Sequence, residues 1–117
     1  AASLLLHERS GSNSVVELDA VNRITAFLER PTDAQRRAHP RSWVNSGVHV
    51  LSERILRLIP DGPCDLPRDV FIPALASETL VGVALTGYRC AIDSPERYRE
   101  AQAAFAEGRY RAASRSA

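Results

Sequence analysis

Residues 43–51 constrain the fold more than any other segment of this sequence. Val44, Val48 and Val50 alternate with small or polar residues, which is the pattern of a β-strand with one face in a core. The tripeptide Asn-Ser-Gly at 45–47 interrupts that pattern, and Asn and Gly are poor strand formers. A glycine inside a strand marks either a bulge or a place where a ligand or another backbone comes close. Both interpretations stay open from local chemistry alone.

The charge balance and the amino terminus exclude several classes of partner. The 117 residues are enough for one domain with a real core. Fifteen basic against fourteen acidic residues leave a net charge of +1, so we expect no nucleic-acid partner and no binding to an acidic membrane surface. The apolar stretch 1–6 is too short for a membrane span and has no basic flank. Cys64 and Cys90 are too few for a disulfide framework or a zinc site, which favours a reduced, cytoplasmic chain.

Hydrophobic alternation and turn residues predict most of the strands. The predicted strands are 3–8, 15–19, 23–29, 43–51, 79–86 and 88–92. A loop is expected at 9–14, and Asp19 and Asn22 supply the turn chemistry of a hairpin between the second and third strands. The polar stretch 32–42 predicts a loop, in which His39 is expected to be solvated.

N-cap residues predict three helices. The predicted helices are 53–59 after Ser52, a second one after Asp65, and 95–107 after Ser94. Pro73 in the middle of the second helix implies a kink or a break. Together with the strands, these helices predict an α/β fold with a mixed sheet and flanking helices. In such sheets ligands bind at the carboxyl ends of strands, and both 45–47 and 91–94 are predicted near strand ends or bulges.

An ordered series of motifs carries a family resemblance. The segments at 15–17, 23–31, 44–51 and 88–98 resemble the carboxyl-terminal half of the sugar-1-phosphate nucleotidyltransferases, in particular the mannose-1-phosphate and heptose-1-phosphate guanylyltransferases. The resemblance implies a Rossmann-like nucleotide-diphospho-sugar transferase fold, with 1–110 as its sugar-phosphate-binding half and 111–117 as a frayed tail. It also implies a reaction in which a sugar-1-phosphate attacks the α-phosphorus of a nucleoside triphosphate, giving nucleotide-sugar and pyrophosphate with Mg²⁺.

The resemblance assigns substrate-binding roles to five residues. Glu29 matches a glutamate that bonds sugar hydroxyls, and Arg30 replaces a lysine that meets the sugar phosphate. Asn45 and Gly47 match a segment that lines the sugar pocket, where glycine lets backbone approach the ring. Ser14 replaces a glycine and puts a side chain where bare backbone touched the sugar. The choice of sugar is therefore open.

The metal-binding motif departs from the family. The family's Asp-Ile-Gly-Thr-Pro-Glu has Ala91 at its metal-ligand position here, with Asp93 two residues later. On an extended backbone Asp93 lies about 6–7 Å further along the strand, whereas Mg²⁺ needs an oxygen at about 2.1 Å. Asp93 then either acts through a metal-bound water or caps the helix that begins at Pro95, and the second role is favoured.

Two functional hypotheses follow from the resemblance. The family's glycine-rich phosphate loop and its other metal-binding aspartate belong to an amino-terminal half that this sequence does not include, so the chain alone is expected not to catalyse. The first hypothesis is the sugar-binding half of a longer or split enzyme, completed by that half or by a partner chain. The second is an inactive relative that serves as a binding or interaction module, and Ala91 favours it. Where the missing half would pack, we expect an exposed sheet edge or apolar face, and therefore self-association or pairing with a partner.

Overall fold

The computed structural model describes residues 1–8, 12–40 and 42–109. The chain divides into two compact units, Ala1–Leu85 and a second that starts at Thr86. The predicted tail at 111–117 lies outside the described residues, as do parts of the predicted loops at 9–14 and 32–42.

The first unit is built on two groups of β-strands. They are β1 (Ala2–His7), β2 (Ser14–Leu18), β3 (Ile24–Glu29), β4 (Val44–Leu51) and β5 (Leu80–Ala84). A three-stranded sheet has the order β4-β1-β5, with β1 antiparallel to β4 and parallel to β5. β2 and β3 form the predicted antiparallel hairpin. The predicted α/β class with a mixed sheet is confirmed.

Backbone bridges join the hairpin to the three-stranded sheet on both sides. Val16 and Trp43 exchange two N–H···O bonds of 2.8 Å just before β4 begins. On the other side Arg23 bridges to Val81, and the N–H of Gly82 donates to the carbonyl of Asn22 at 2.8 Å. Near Val81, β5 is therefore hydrogen-bonded on both edges, to β1 on one side and to the hairpin on the other.

A short helix corrects the prediction of a loop at 32–42. Asp33–Ala38 forms α1, opened by a capping box in which Thr32 accepts from the Gln35 N–H and Gln35 accepts from the Thr32 N–H. The helix buries none of its residues, so no apolar stripe marks it in the sequence. His39, expected to be solvated, lies with its Nδ1 2.5 Å from Oε1 of Glu17. The loop prediction was wrong because the capping box stabilises a helix that has no apolar stripe.

The remaining helices begin where their caps predict. They are α2 (Glu53–Leu56), a π-helical turn (Leu66–Phe71) that continues into α3 (Ile72–Ala74), and α4 (Pro95–Ala106). α2 is shorter than predicted, and Ser52 makes no side-chain cap bond. Asp65 caps the π-helical turn by accepting from the Arg68 N–H at 3.0 Å, and the helix changes from π to α between Phe71 and Ile72, next to Pro73. Within the described ranges, no helix combines the length and the apolar character that crossing a bilayer requires.

The second unit has a helix where a strand and a helix were predicted. Ser94 accepts from the Arg97 N–H at 3.3 Å and caps α4, and Gly108 follows the helix at φ +68°, as predicted. The strand predicted at 88–92 is wrong, because those residues pair with no strand in the described parts of the chain. Apolar composition alone does not make a strand without an edge to join.

The core of the first unit lies under one face of the three-stranded sheet. Its fully buried side chains are Leu4, Leu6, Val16, Ile55, Val70, Phe71 and Leu80. Alternate residues of β1 are buried, as a strand with one face in a core requires. Gly82 is needed at its position, since a Cβ there would lie 2.6 Å from Leu6 Cδ1 and 2.7 Å from Leu18 Cδ2.

The opposite face of the same sheet is mostly apolar and partly exposed. It is formed by Leu5, Val48, Val50, Val81 and Val83, with Ser3 between Val50 and Val81, and we call these six residues the outer face. The exposed fractions of Val48, Val50 and Val83 are 58%, 72% and 49%. No residue of the outer face is charged. The expected exposed apolar face is therefore present in the first unit.

Candidate functional site

The Asn-Ser-Gly interruption is a bulge in β4. Leu4 and Leu6 of β1 pair with His49 and Asn45, so that one residue of β1 faces three residues of β4. Gly47 has φ +79°, in the left-handed region that favours glycine. A Cβ at Gly47 would meet nothing within 4 Å, so there is open space beside the glycine. Glycine is therefore favoured here by its positive φ and not by a lack of room. Both features that the sequence left open, the bulge and the space, occur together.

Asn45 connects the bulge to the hairpin. Its backbone N–H donates to the Ser14 hydroxyl at 3.0 Å. Its side-chain Oδ1 accepts from the Gly47 N–H at 3.1 Å and lies 3.0 Å from Nε2 of His49. Ser46, the next residue, donates its hydroxyl to the Leu5 carbonyl and anchors the bulge to β1. The Asn45 side chain is therefore held within β4 by two contacts.

Glu29, Ser14 and Asn45 occupy three neighbouring strand segments in one row. Ser14 and Glu29 are register partners in the hairpin, and residues directly opposite in an antiparallel pair project to the same side. The Val16–Trp43 bridge continues the same register between β2 and the start of β4. The bond from Asn45 to Ser14 falls in that register, two residues further along. The structure thus brings together three of the residues assigned by the resemblance.

The Glu29 carboxylate lies in an unfavourable electrostatic environment. Partial burial raises its pKa first, the nearby Asp65 carboxylate raises it further, and the Arg30 guanidinium opposes both. Asp65, assigned only a capping role in the sequence, is therefore also an electrostatic neighbour of the site. A carboxylate kept in such a place at a cost to stability is typical of a binding or catalytic group.

Arg30 ends β3 in a left-handed conformation. Its φ is +50°, and its N–H donates to the Asn13 carbonyl at 2.6 Å. On a strand that stayed extended, Arg30 would point away from the face of Glu29. The chain leaves the extended conformation at Arg30 itself. Because the backbone is not extended at residue 30, the exposed Arg30 side chain is not forced to the face opposite Glu29.

His49 belongs to this group of residues, although the sequence pattern gave it no role. Besides its contact with Asn45, its ring packs edge-on against Phe71, with the centroids 4.9 Å apart and the planes at 74°. Burial lowers the pKa of His49, so the neutral imidazole is favoured at pH 7. A spacing of four residues across a glycine bulge was the only sequence signal for its position.

Asp93 pairs with the side chain of Arg97 and does not cap α4. Both of its carboxylate oxygens accept from Nη1 of Arg97, at 2.9 and 3.0 Å, while Ser94 caps α4. The favoured capping role was therefore wrong. Residue 91 is alanine, and the described residues contain no group of three or more His, Cys, Asp or Glu side chains placed to hold a metal. The segment at 91–97 does not fit the Mg²⁺ site that the resemblance implies.

Comparisons with known proteins name no family for this chain. No protein-family model matches the sequence, and no curated protein matches it. The functional interpretation therefore depends on the residues of the site and on the resemblance of their motifs.

Proposed function

We propose that the first unit binds a sugar-1-phosphate. In this proposal it serves as the sugar-phosphate-binding half of a Rossmann-like nucleotidyltransferase, which makes a nucleotide-sugar and pyrophosphate from a nucleoside triphosphate and the sugar-1-phosphate. The observation that carries the proposal is the row formed by Glu29, Ser14 and Asn45 beside the open bulge at Gly47.

The row offers complementary hydrogen-bonding groups to a sugar hydroxyl. An ionised Glu29 only accepts, so a hydroxyl donates its proton to it. The Asn45 amide oxygen already accepts from Gly47, which leaves the amide nitrogen to donate to the same or a neighbouring hydroxyl. Arg30, exposed at the end of β3, supplies a guanidinium fork that suits a phosphate. These groups bind and orient the acceptor, and the nucleotide is held by a half of the enzyme outside these residues.

Replacing Glu29 by glutamine tests the proposal. Because Gln retains one acceptor oxygen but loses the charge, we expect Glu29→Gln to weaken binding of mannose 1-phosphate about three- to tenfold. Isothermal titration calorimetry measures the affinity, with Glu96→Gln on α4 as the exposed control. A wild-type chain that binds neither mannose 1-phosphate nor a heptose 1-phosphate at millimolar concentration contradicts the proposed function.

The same substitution should stabilise the fold at neutral pH. Because the pKa of Glu29 is raised, the folded wild type holds the Glu29 proton more tightly than the unfolded chain does, so its stability falls as the pH rises through the folded-state pKa. Glu29→Gln removes that loss. We expect the variant to gain stability relative to wild type between pH 4 and pH 7 in urea unfolding, by a small amount because the group is largely solvent-screened. Equal stability of the two chains across that range would show that Glu29 is not under electrostatic strain.

An interaction module is the second candidate function, and the outer face favours it. Val48 and Val50 are more than half exposed on a sheet whose other face is the core. We propose that the outer face accepts an apolar surface of a second copy or of a partner chain. This role does not exclude sugar-phosphate binding, because the row containing Glu29 and Asn45 lies on the core-facing side of the strands.

A charge on the outer face should therefore reduce self-association. We expect sedimentation equilibrium of the wild type to show dimers or larger species at high concentration, and Val50→Glu to shift the chain toward monomer. Val21→Glu is the matched control, because Val21 is 65% exposed in the hairpin turn. A wild type that remains monomeric at every concentration, or a loss of association in both variants, contradicts a role for this face in self-association.

A further inference from the structure

We infer that His49 is a positioning residue that fixes the Asn45 amide with its nitrogen available to the ligand. The effect of this orientation on ligand binding rests on the proposed function. The orientation itself follows from the contacts that His49 makes with Asn45 and Phe71.

The Gly47 N–H decides which Asn45 atom faces the bulge. A backbone N–H donates and cannot accept, so the Asn45 atom 3.1 Å from it must be the amide oxygen. The same oxygen lies 3.0 Å from His49 Nε2. An oxygen can only accept, so Nε2 must carry a proton. The structure therefore requires the Nε2–H tautomer of the neutral imidazole, and burial favours that neutral form.

Because two donors already bond to its amide oxygen, Asn45 can hydrogen-bond a ligand only through its amide nitrogen. The N–H groups of Gly47 and His49 occupy both lone pairs of Oδ1. Turning the amide over would place its NH₂ group against those two donors and break both bonds. The side-chain N–H groups of Asn45, which bond to none of the described residues, therefore select a ligand atom that accepts, such as a hydroxyl oxygen.

Phe71 holds the imidazole in the orientation that this bond needs. Its side chain is fully buried in the core, and the His49 ring packs edge-on against it. The π-helical turn that carries Phe71 is fixed in turn by the Asp65 cap. The Asn45 amide is thus connected to the core through a rigid aromatic contact, which is how a binding group is kept in place before the ligand arrives.

The tautomer of His49 tests the geometry without any ligand. In ¹⁵N-labelled wild-type chain at pH 7.5, long-range ¹H–¹⁵N correlation spectra should show His49 with Nε2 protonated and Nδ1 unprotonated. A predominant Nδ1–H tautomer overturns the inference. This outcome is independent of whether any sugar phosphate binds.

Three variants at position 49 then test the effect on binding. A glutamine places its amide nitrogen near the Nε2 position, an asparagine reaches only the Nδ1 position, and a phenylalanine keeps the ring without a donor. We expect His49→Asn and His49→Phe to bind mannose 1-phosphate about three- to tenfold more weakly than wild type, and His49→Gln to bind nearly as wild type does. Binding of inorganic phosphate should be unchanged in all three.

The relative affinities of the three variants distinguish a failure of the inference from a failure of the proposed function. Equal binding of mannose 1-phosphate by all three variants and wild type overturns the inference, as does equal weakening in all three, which points to packing alone. Dispersed amide spectra confirm that each variant is folded. If the wild type binds neither mannose 1-phosphate nor a heptose 1-phosphate, the proposed function fails, and the tautomer then decides the role of His49 by itself.

Discussion

Replacing Arg30 by alanine should weaken binding of mannose 1-phosphate by roughly ten- to a hundredfold while leaving binding of free mannose unchanged. A charge-assisted hydrogen bond to an ionised group contributes about 1.5–3 kcal/mol, which corresponds to that change in affinity. Arg30 is exposed at the end of β3, where its backbone bond to Asn13 fixes the turn. Alanine keeps the Cβ, so the cost of the left-handed backbone differs little between the two side chains.

The selectivity of this effect is what identifies a phosphate contact. Calorimetric titrations with mannose 1-phosphate and with mannose measure it directly. Arg37→Ala, on the exposed side of α1, controls for the loss of one positive charge. Arg30→Lys keeps the charge but loses the planar fork, so an intermediate affinity is expected. If Arg30→Ala affects both ligands equally or neither, the site does not recognise the phosphate and the interaction module becomes the better explanation.

The parts of the fold that sequence predicts well are those that local chemistry determines. The hairpin is the clearest case, since the Asp19 carboxylate accepts from the N–H groups of Val21 and Arg23, at 2.9 and 2.8 Å. Asn22 completes the turn at φ +62°, a conformation that asparagine tolerates better than most residues. Each contact spans at most four residues, so the pattern is complete within the segment.

The errors of the sequence-based predictions include one in which residues far apart in the chain determine the local structure. Residues 88–92 have strand-like composition, but they pair with no strand in the described parts of the chain, and local pattern cannot reveal whether a partner strand is available. The error at α1 has the opposite cause. That helix is stabilised by the Thr32–Gln35 capping box without burying a side chain, so a search for an apolar stripe misses it.

The candidate site shows the same division. Glu29 and Asn45 were assigned through their motifs, and the register then places them in one row with Ser14. His49 and Asp65 were missed as site residues because their roles depend on the bulge and on the approach of the π-helical turn to β3. The approach of the π-helical turn to β3 joins two separate elements, and no spacing along the chain predicts it.

Truncating Phe71 should have the largest effect on stability. Phe71 is fully buried and packs against Phe27, with centroids 6.4 Å apart, and against His49 at 4.9 Å. Removing a buried phenylalanine ring costs about 3–5 kcal/mol, because transfer energy is lost and a cavity remains. We expect Phe71→Ala to lower the free energy of unfolding by that amount in urea titrations. Phe105→Ala is the matched control, since Phe105 is 72% exposed and its loss should change stability by less than about 0.5 kcal/mol.

A milder change at the same position separates folding from site geometry. Leucine at 71 keeps most of the buried apolar volume, so Phe71→Leu should destabilise the chain much less than Phe71→Ala. It removes the ring edge that orients the imidazole, and the contact between His49 and Asn45 should loosen with it. We therefore expect Phe71→Leu to remain folded, to lose the single His49 tautomer in ¹⁵N spectra, and to bind mannose 1-phosphate more weakly. A folded Phe71→Leu chain with an unchanged tautomer would show that the His49–Asn45 bond holds without support from the core.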